Sequence, residues 1–521
     1  MNWYHIIYLS KILASSTILH NKNKLITWMN NPVALIILIG SLQLLISLLS
    51  NGFVLSFDES IWDYIGRNWI CHHMVPYGGG VDNKTPFIFL IFGVSDLMFG
   101  VNYWFPRVIG TICETIGMFY VYKIADRTAG KDAGVFTLLF YGLSLLWHAT
   151  GGKYVDFTET FEIMFFVMSV YKYLSARSDK DFIISGLCSG LALDFRLTAA
   201  FGILAIVISC LKQKSIRCCW LFLTGTLSGI LILLATCLLA GIKLHDLWIY
   251  GFFDNFGPGS VTSQTLSQKL ESFSGKFIYS PIAFFYPLLI IYVLEKKKLD
   301  LFILWYLLSL SAISLVGIFD VVHLKEILPS LSLMAGIGTE MLLRKYRVPF
   351  IIALLLIIIL FFPSTSELFA NVRIILNKTK PSHVYGRIPY INPDEGDRKL
   401  LAEWVKQHTK TNDMVLVHSY GTQIQVYSER LSPTVYFSIN RTPFAKDRFY
   451  KDLNRHHPEL ILVPMFDEYQ KWVDPDQRNF VQALINKSYI LSDTFYNYKI
   501  YRIRKSIHAN HITAISNAAA K

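Results

Sequence analysis

Acidic and basic side chains recur in this chain beside long apolar runs, where a charge is costly and usually functional. Asp58 and Glu59 stand side by side in "FDES", just past the apolar run that begins at Val33. "VPYGGGVDNKTPF" supplies Asp82 and Lys84, and "GKYVDFTETFE" supplies Lys153 and Asp156. "LALDFRLTAAF" supplies Asp194 and Arg196, and "DVVHLKEILP" supplies Asp320, His323, Lys325 and Glu326. A carboxylate can take the proton of an incoming hydroxyl or amine. Lys and Arg can neutralise a departing phosphate. A phosphate on a long lipid lies at headgroup depth with its tail between helices. Acids beside cations at that depth suit transfer of a group from a lipid phosphate to an acceptor outside. Neighbours on a helix point about 100° apart. One of Asp58 and Glu59 is therefore expected to face the reaction, and the other to support structure; Asp58 is assigned the first role.

The elements that must position these groups follow from composition. The chain has 521 residues, of which 53% are hydrophobic and only 17% charged. That is well short of the share of charge in soluble domains and points to a polytopic membrane protein. The net charge of +12 does not imply nucleic acid, because the basic residues fall in short clusters between apolar runs. Val33 to Leu55 is expected to be the first span, and further spans are expected over 104–124, 133–148, 156–174, 182–193, 198–211, 220–240, 281–294, 299–318, 327–343 and 349–362. Residues 1–31 are expected to form an amphipathic helix on the inner membrane face.

Lys and Arg set the orientation. "YKIADRTAGK", "YKYLSARSDK", "KQKSIR", "EKKK" and "RKYR" occupy alternate connections, which the positive-inside rule makes cytoplasmic. Connections 56–103, 151–155, 243–280 and 320–326 then face outward, and every candidate group named above belongs to that side. After Phe362 the composition turns polar and mixed. "DRKLLAEWVKQH" and "RFYKDLNRHH" read as helices; "DMVLVH", "TVYFSI", "ELILVP" and "YNYKIYRI" read as strands. The expected fold class is a polytopic α-helical membrane protein of about 11–13 transmembrane helices with a C-terminal extracytoplasmic α/β domain. The expected boundaries are 1–363 for the membrane part, with its first outer loop at 56–103, and 364–521 for the α/β domain.

Other features read as ordinary. Most of the seven cysteines sit in apolar runs without metal spacing, as small buried hydrophobes do. Tyr77 and Trp62 are expected as interfacial belt aromatics, and Gly78–Gly80 as a flexible turn rather than a phosphate loop. Asp82, Lys153 and Glu326 are expected to be solvated, and adjacent His72 and His73 are not expected to share a metal. Arg196 stands apart, because it interrupts an apolar stretch.

The ordered set resembles the GT-C glycosyltransferases of the protein mannosyltransferase and aminoarabinose lipid A transferase type. "FDES" resembles their Asp-Glu motif, and "VPYGGGVDNKTPFIFLIF" their loop ending in Lys-Pro-Pro before an apolar helix. "YVDFTETFEIMFF" resembles their Tyr-x-x-x-Asp stretch. "GLALDFRLTAAFGILAI" resembles their Gly-Leu-Ala…Thr-Lys-Gly stretch, and "HLKEILPSLSLMAG" their late Leu-Pro-x-x-Pro helix. The resemblance implies a sugar donor linked to polyprenyl phosphate, an acceptor that is lipid, glycan or protein, and direct attack with inversion. It implies a catalytic Asp58 with Glu59 beside it, Lys84 and Arg196 on the donor phosphate, and Asp156 positioning donor or acceptor. It also implies a multi-pass protein of the cytoplasmic (inner) membrane, bathed in membrane lipids.

The chain departs from the family pattern in two places. Thr85-Pro86 follows Lys84 instead of two prolines, and Asp194–Arg196 replaces a plainer Thr-Lys. No cofactor and no metal is assigned, and a divalent metal stands as an alternative that no residue pattern supports. The zinc ligands of the lipid A transferase have no match, and the Trp-Trp-Asp signature of oligosaccharyltransferases that need a divalent ion is absent. A transporter or lipid flippase without transferase activity is the rival reading. It would place charges near the bilayer midplane between symmetric halves, whereas here they gather on one face and no halves repeat.

Overall fold

A computed structural model of the chain describes residues 31–49, 55–146, 158–256, 285–316, 321–347, 394–418, 421–435, 446–465 and 473–504, with isolated positions in 267–283 and 349–357. The expected N-terminal amphipathic helix, Lys153, Asp156, Asp320, the bulk of the 349–362 span and most of the "TVYFSI" strand lie outside the described residues.

The first part of the chain is helical. It comprises α1 (Pro32–Leu49), α2 (Phe57–His72), α3 (Pro86–Phe99), α4 (Trp104–Ala129), α5 (Lys131–Leu146), α6 (Thr158–Ser175), α7 (Asp179–Phe195), α8 (Ala199–Gln213) and α9 (Ile216–Leu239). After a short π-helical turn at Leu247–Phe252 come α10 (Tyr286–Lys296), α11 (Leu301–Val316), a 3₁₀ turn at Val321–Glu326 and α12 (Leu328–Tyr346). Trp104–Ala129 and Ile216–Leu239 are the two described helices long and apolar enough to cross a bilayer; Pro32–Leu45, Pro86–Phe99, Ala199–Gln213 and Leu301–Leu315 are apolar but shorter.

Local chemistry explains several of these boundaries. Ser56 caps α2 in a reciprocal box with Glu59. Proline stands at the first turn of α3, α10 and α12, where its missing N–H costs nothing. From Leu328 to Thr339 α12 is buried on every side, the mark of a central helix. Helices α7 and α9 cross at backbone contact: a Cβ added at Gly186 would lie 1.9 Å from the carbonyl oxygen of Phe222. Gly186-x₃-Gly190 thus works as a small-residue seam, a device common in membrane bundles.

The second part is α/β. It contains α13 (Asp394–His408), β1 (Val415–Val417), α14 (Thr422–Ser428), α15 (Lys446–Arg455), β2 (Leu460–Pro464), α16 (Pro475–Ser488), β3 (Tyr489–Phe495) and β4 (Tyr498–Ile503). The sheet order is β1-β2-β4-β3. β1 runs parallel to β2, with Val415 opposite Leu460. β4 runs antiparallel to β2, with Leu462 opposite Ile500. β3 closes a hairpin with β4, from Tyr489–Ile503 to Phe495–Tyr498. Alternation along β2 sends Leu460 and Leu462 toward Leu401, Val405 and Ile424, and Ile461 toward Phe449, Leu453 and Val481. Helices therefore cover both faces of the sheet.

The two parts touch along one edge. The hydroxyl of Tyr427 accepts the Leu55 N–H at 2.7 Å, and the hydroxyl of Tyr64 accepts the Ser432 N–H at 2.8 Å. Arg67 donates to the carbonyl of Val426 at 3.3 Å and pairs with Glu429. The Val81 N–H donates to the Val435 carbonyl at 2.9 Å, and Arg448 donates to the Tyr77 carbonyl at 2.9 Å. Every one of these bonds ends on α2 or its flanking loops.

Candidate functional site

The candidate groups stand at one end of the helices. Asp58 and Glu59 open α2, Lys84 precedes α3, Thr158 and Glu159 open α6, Arg196 follows α7, and His323 to Glu326 precede α12. The basic clusters stand at the other ends of α4, α6, α8, α10 and α12, as the alternation of Lys and Arg requires.

Glu59 and Asp58 have different fates. Glu59 is fully buried, with Oε1 accepting from Arg107 Nε at 2.9 Å and Oε2 accepting from Arg107 Nη2 at 2.7 Å. Oε2 also accepts the Ser56 N–H at 2.8 Å. Both oxygens are thus committed to a bidentate ion pair and a helix cap, so Glu59 ties α2 to α4 and presents no oxygen to a substrate. Asp58 is half-buried in the first turn of the same helix.

Two contacts link the segment that carries Asp58 to those that carry Lys84 and Arg196. Trp62 lies one turn along α2, on the same side of the helix as Asp58. Its Nε1–H donates to Asp82 Oδ2 at 2.9 Å, which draws in the loop that carries Lys84. The Thr85 hydroxyl donates to the Asp194 carbonyl, which joins that loop to the end of α7 and so to Arg196. The Tyr77 hydroxyl braces the loop by donating to the Lys84 carbonyl at 2.7 Å, and Lys84 Nζ donates to Asn83 Oδ1 at 2.6 Å. Trp62 and Tyr77 are at most 1% exposed, so they are core struts of this loop and not belt aromatics at a lipid interface. Gly78–Gly80 is likewise held in a bonded turn, by Gly78 N–H to Val75 O at 3.0 Å and Tyr77 N–H to Gly80 O at 2.8 Å. Asp82 is held by Trp62 and Glu326 is buried, which overturns the solvated role expected of both.

Arg196 sits in a cluster with more acid than base. Its Nη1 is 2.9 Å from Glu159 Oε1 and its Nε 2.5 Å from Glu326 Oε1. Its Nη2 is 2.8 Å from His323 Nδ1, while Nη1 and Nε also reach the hydroxyls of Thr158 and Thr198. His323 Nδ1 lies 2.9 Å from Glu159 Oε1 as well. That nitrogen can accept from Arg196 or donate to Glu159, not both at once. Beside this cluster Lys325 Nζ donates to Glu114 at 2.5 Å and to Thr160 at 2.8 Å. The charge of Arg196 is matched by carboxylates, and the donor-phosphate role expected of it would require one of them to give way. Asp156 lies outside the described residues, but Thr158, two residues later, is already on Arg196.

Ligand atoms of Glu159, His323 and Glu326 lie within 4.8 Å of one another, the one such cluster among the described residues. Arg196 is bonded to all three, so the positive charge a metal would bring is already present and the set does not fit an open cation site. Sequence reasoning passed over Arg107, Glu114, Glu159 and Glu162. Each is an ionisable residue inside an apolar helix, which is the signal that identifies them.

Comparison with known proteins agrees with this picture. Residues 83–239 match the family model described as dolichyl-phosphate-mannose-protein mannosyltransferase. No curated protein matches the sequence. Among solved structures, ArnT from Cupriavidus metallidurans bound to undecaprenyl phosphate is 14% identical, with a TM-score of 0.62 over 91% of this chain and 98% of that one. The same enzyme in the apo state gives 14% identity and a TM-score of 0.60 over 90% and 97%. An Archaeoglobus fulgidus oligosaccharyltransferase in complex with zinc and sulfate is 13% identical, with a TM-score of 0.52 over 87% of this chain and 71% of that one. The chain has the fold of these solved structures, and residues 83–239 resemble the mannosyltransferase family in sequence. The resemblance read from the sequence is borne out at that level.

Proposed function

We propose that this protein is a membrane glycosyltransferase that moves a sugar from a polyprenyl-phosphate-linked donor to a lipid, glycan or protein acceptor at the outer face of the cytoplasmic membrane. The observation that carries the reading is the pair of contacts Trp62–Asp82 and Thr85–Asp194, which gather the segments bearing Asp58, Lys84 and Arg196. Undecaprenyl phosphate bound to ArnT supports the donor class. Asp58 takes the proton of the acceptor hydroxyl or amine as that atom bonds to the anomeric carbon from the face opposite the phosphate. The bond from sugar to phosphate oxygen breaks, and Lys84 stabilises the polyprenyl phosphate that leaves. Glu59 and Arg196 are positioning residues: the first fixes the start of α2, and the second fixes the segment that follows Asp156. About 11–13 membrane helices over residues 1–363 hold this site, with 364–521 as an extracytoplasmic α/β domain above it. The sugar transferred is a hexose or a pentose.

The test is donor consumption by protein purified in detergent. Asp58→Asn should lower turnover by about 10²–10⁴-fold, the usual worth of a general base, with the melting temperature unchanged. Full activity in that variant removes Asp58 as the base, and absence of any donor turnover by the unaltered protein removes the transferase reading.

A further inference from the structure

We infer that the α/β region holds a second ligand site, built for a small sugar bearing one phosphate or carboxylate group. β1 and β2 are parallel neighbours. Crevices outside the carboxyl ends of such strands are where open α/β sheets bind ligands. Here that crevice is a cavity of 360 Å³, bounded by His418 just after β1, by Val463 at the end of β2, and by Arg478, Asn479, Gln482 and Ile485 from α16. The volume is at the small end for ligand pockets. It suits one sugar ring with its anionic group and excludes a polyprenyl chain.

Two atoms in this wall lack partners. His418 is 92% buried, the complement of its 8% exposure, and its Nε2 has no hydrogen-bond partner; neither has Nε of Arg478. Buried polar atoms left in this way are costly and rare, and an occupant with oxygen acceptors would satisfy both. The His418 backbone N–H donates to the Leu462 carbonyl at 2.8 Å, which fixes the residue at the crevice.

The lining selects the chemistry. Arg478 is the one full charge in it among the described residues, and a guanidinium matches phosphate or carboxylate. Arg478 has no carboxylate partner among the described residues, and the nearby Asp474 and Asp476 pair with Lys446. Burial and the charge of Arg478 push His418 down to about 4, so it stays a neutral imidazole with one donor and one acceptor. With the amides of Asn479 and Gln482 it can read hydroxyls, while Val463 and Ile485 offer an apolar floor to the carbon face of a ring. Among the described residues no carboxylate lines the cavity, and none of them would receive an ammonium group. That the occupant belongs to the acceptor rests on the proposed transfer; the binding itself does not.

The experiment is calorimetric titration of the full-length protein in detergent, without donor, using glucose 1-phosphate, glucuronate, methyl glucoside and inorganic phosphate. Saturable binding of one or both charged sugars is expected, tighter than binding of methyl glucoside or inorganic phosphate. The preferred member of the charged pair identifies the oxyanion. Arg478→Gln should weaken it by about tenfold or more, and Gln482→Ala, a milder change on the exposed helix, by a smaller factor. Asp58→Asn should leave it unaltered, so a failed transfer assay and a failed binding site are told apart. Equal binding of methyl glucoside or of inorganic phosphate, absence of saturation by either charged sugar, or wild-type binding in a folded Arg478→Gln protein overturns the site.

Discussion

The Glu59–Arg107 pair and the Arg196 cluster use the same chemistry at the same end of the molecule, to opposite effect. In the pair, two carboxylate oxygens meet two guanidinium nitrogens at 2.9 and 2.7 Å, and both side chains are fully buried. In the cluster, one guanidinium serves Glu159, Glu326 and His323 and keeps 11% of its side chain exposed. The first arrangement is matched and closed, so it can only hold α2 against α4. The second has an excess of acid, a histidine nitrogen with two competing partners and access to solvent, so its bonding pattern can change when a ligand arrives. Charge balance and enclosure, more than burial alone, separate a closed ion pair from one with room to exchange partners.

Breaking the closed pair should have the largest effect. Arg107→Leu would strand the Glu59 carboxylate in a dry site at a cost of about 3–5 kcal/mol, read as a fall in melting temperature in detergent. The double variant Glu59→Leu/Arg107→Leu should recover most of that loss, because removing both charges is often close to neutral. A single variant as stable as wild type would contradict the structural role. Arg196→Lys comes next. It keeps the charge but loses the fork that reaches three partners. It should cost about 1–3 kcal/mol of stability, less than Arg107→Leu, with a larger fall in donor turnover than in melting temperature. Glu326→Gln should have the smallest effect, within about 1 kcal/mol of wild type, because it leaves Arg196 matched one to one with Glu159. A loss as large as that of Arg107→Leu would mean that the cluster holds no surplus acid.

Much of this was legible from residue types. The grouping of Asp58, Lys84 and Arg196 at one end of the helices followed from the alternation of basic connections, and the helices from Trp104 to Tyr346 lie within a few residues of the apolar runs that predicted them. β4 was legible because "YKIYRI" alternates; its partner β3 was not, since "YILSDTF" is exposed along most of its length and carries no such pattern. Helix α16 was also missed, although Asp474 caps it and Pro475 opens it. The role of Glu59 could not be read without Arg107, which lies 48 positions away. Trp62 and Tyr77 misled for a physical reason: an amphipathic ring at a membrane surface and one that braces a polar loop have the same composition, and only the partner tells them apart.

The hydrogen bonds that run from Leu55, Tyr64, Arg67, Tyr77 and Val81 to the α/β region all grip the segment containing Asp58. A polypeptide severed between residues 347 and 394 would therefore leave its distal fragment seated on the bundle, and the two pieces should co-purify. An opening that parts the α/β region from the helices would have to break these bonds or carry residues 55–81 along with the sheet.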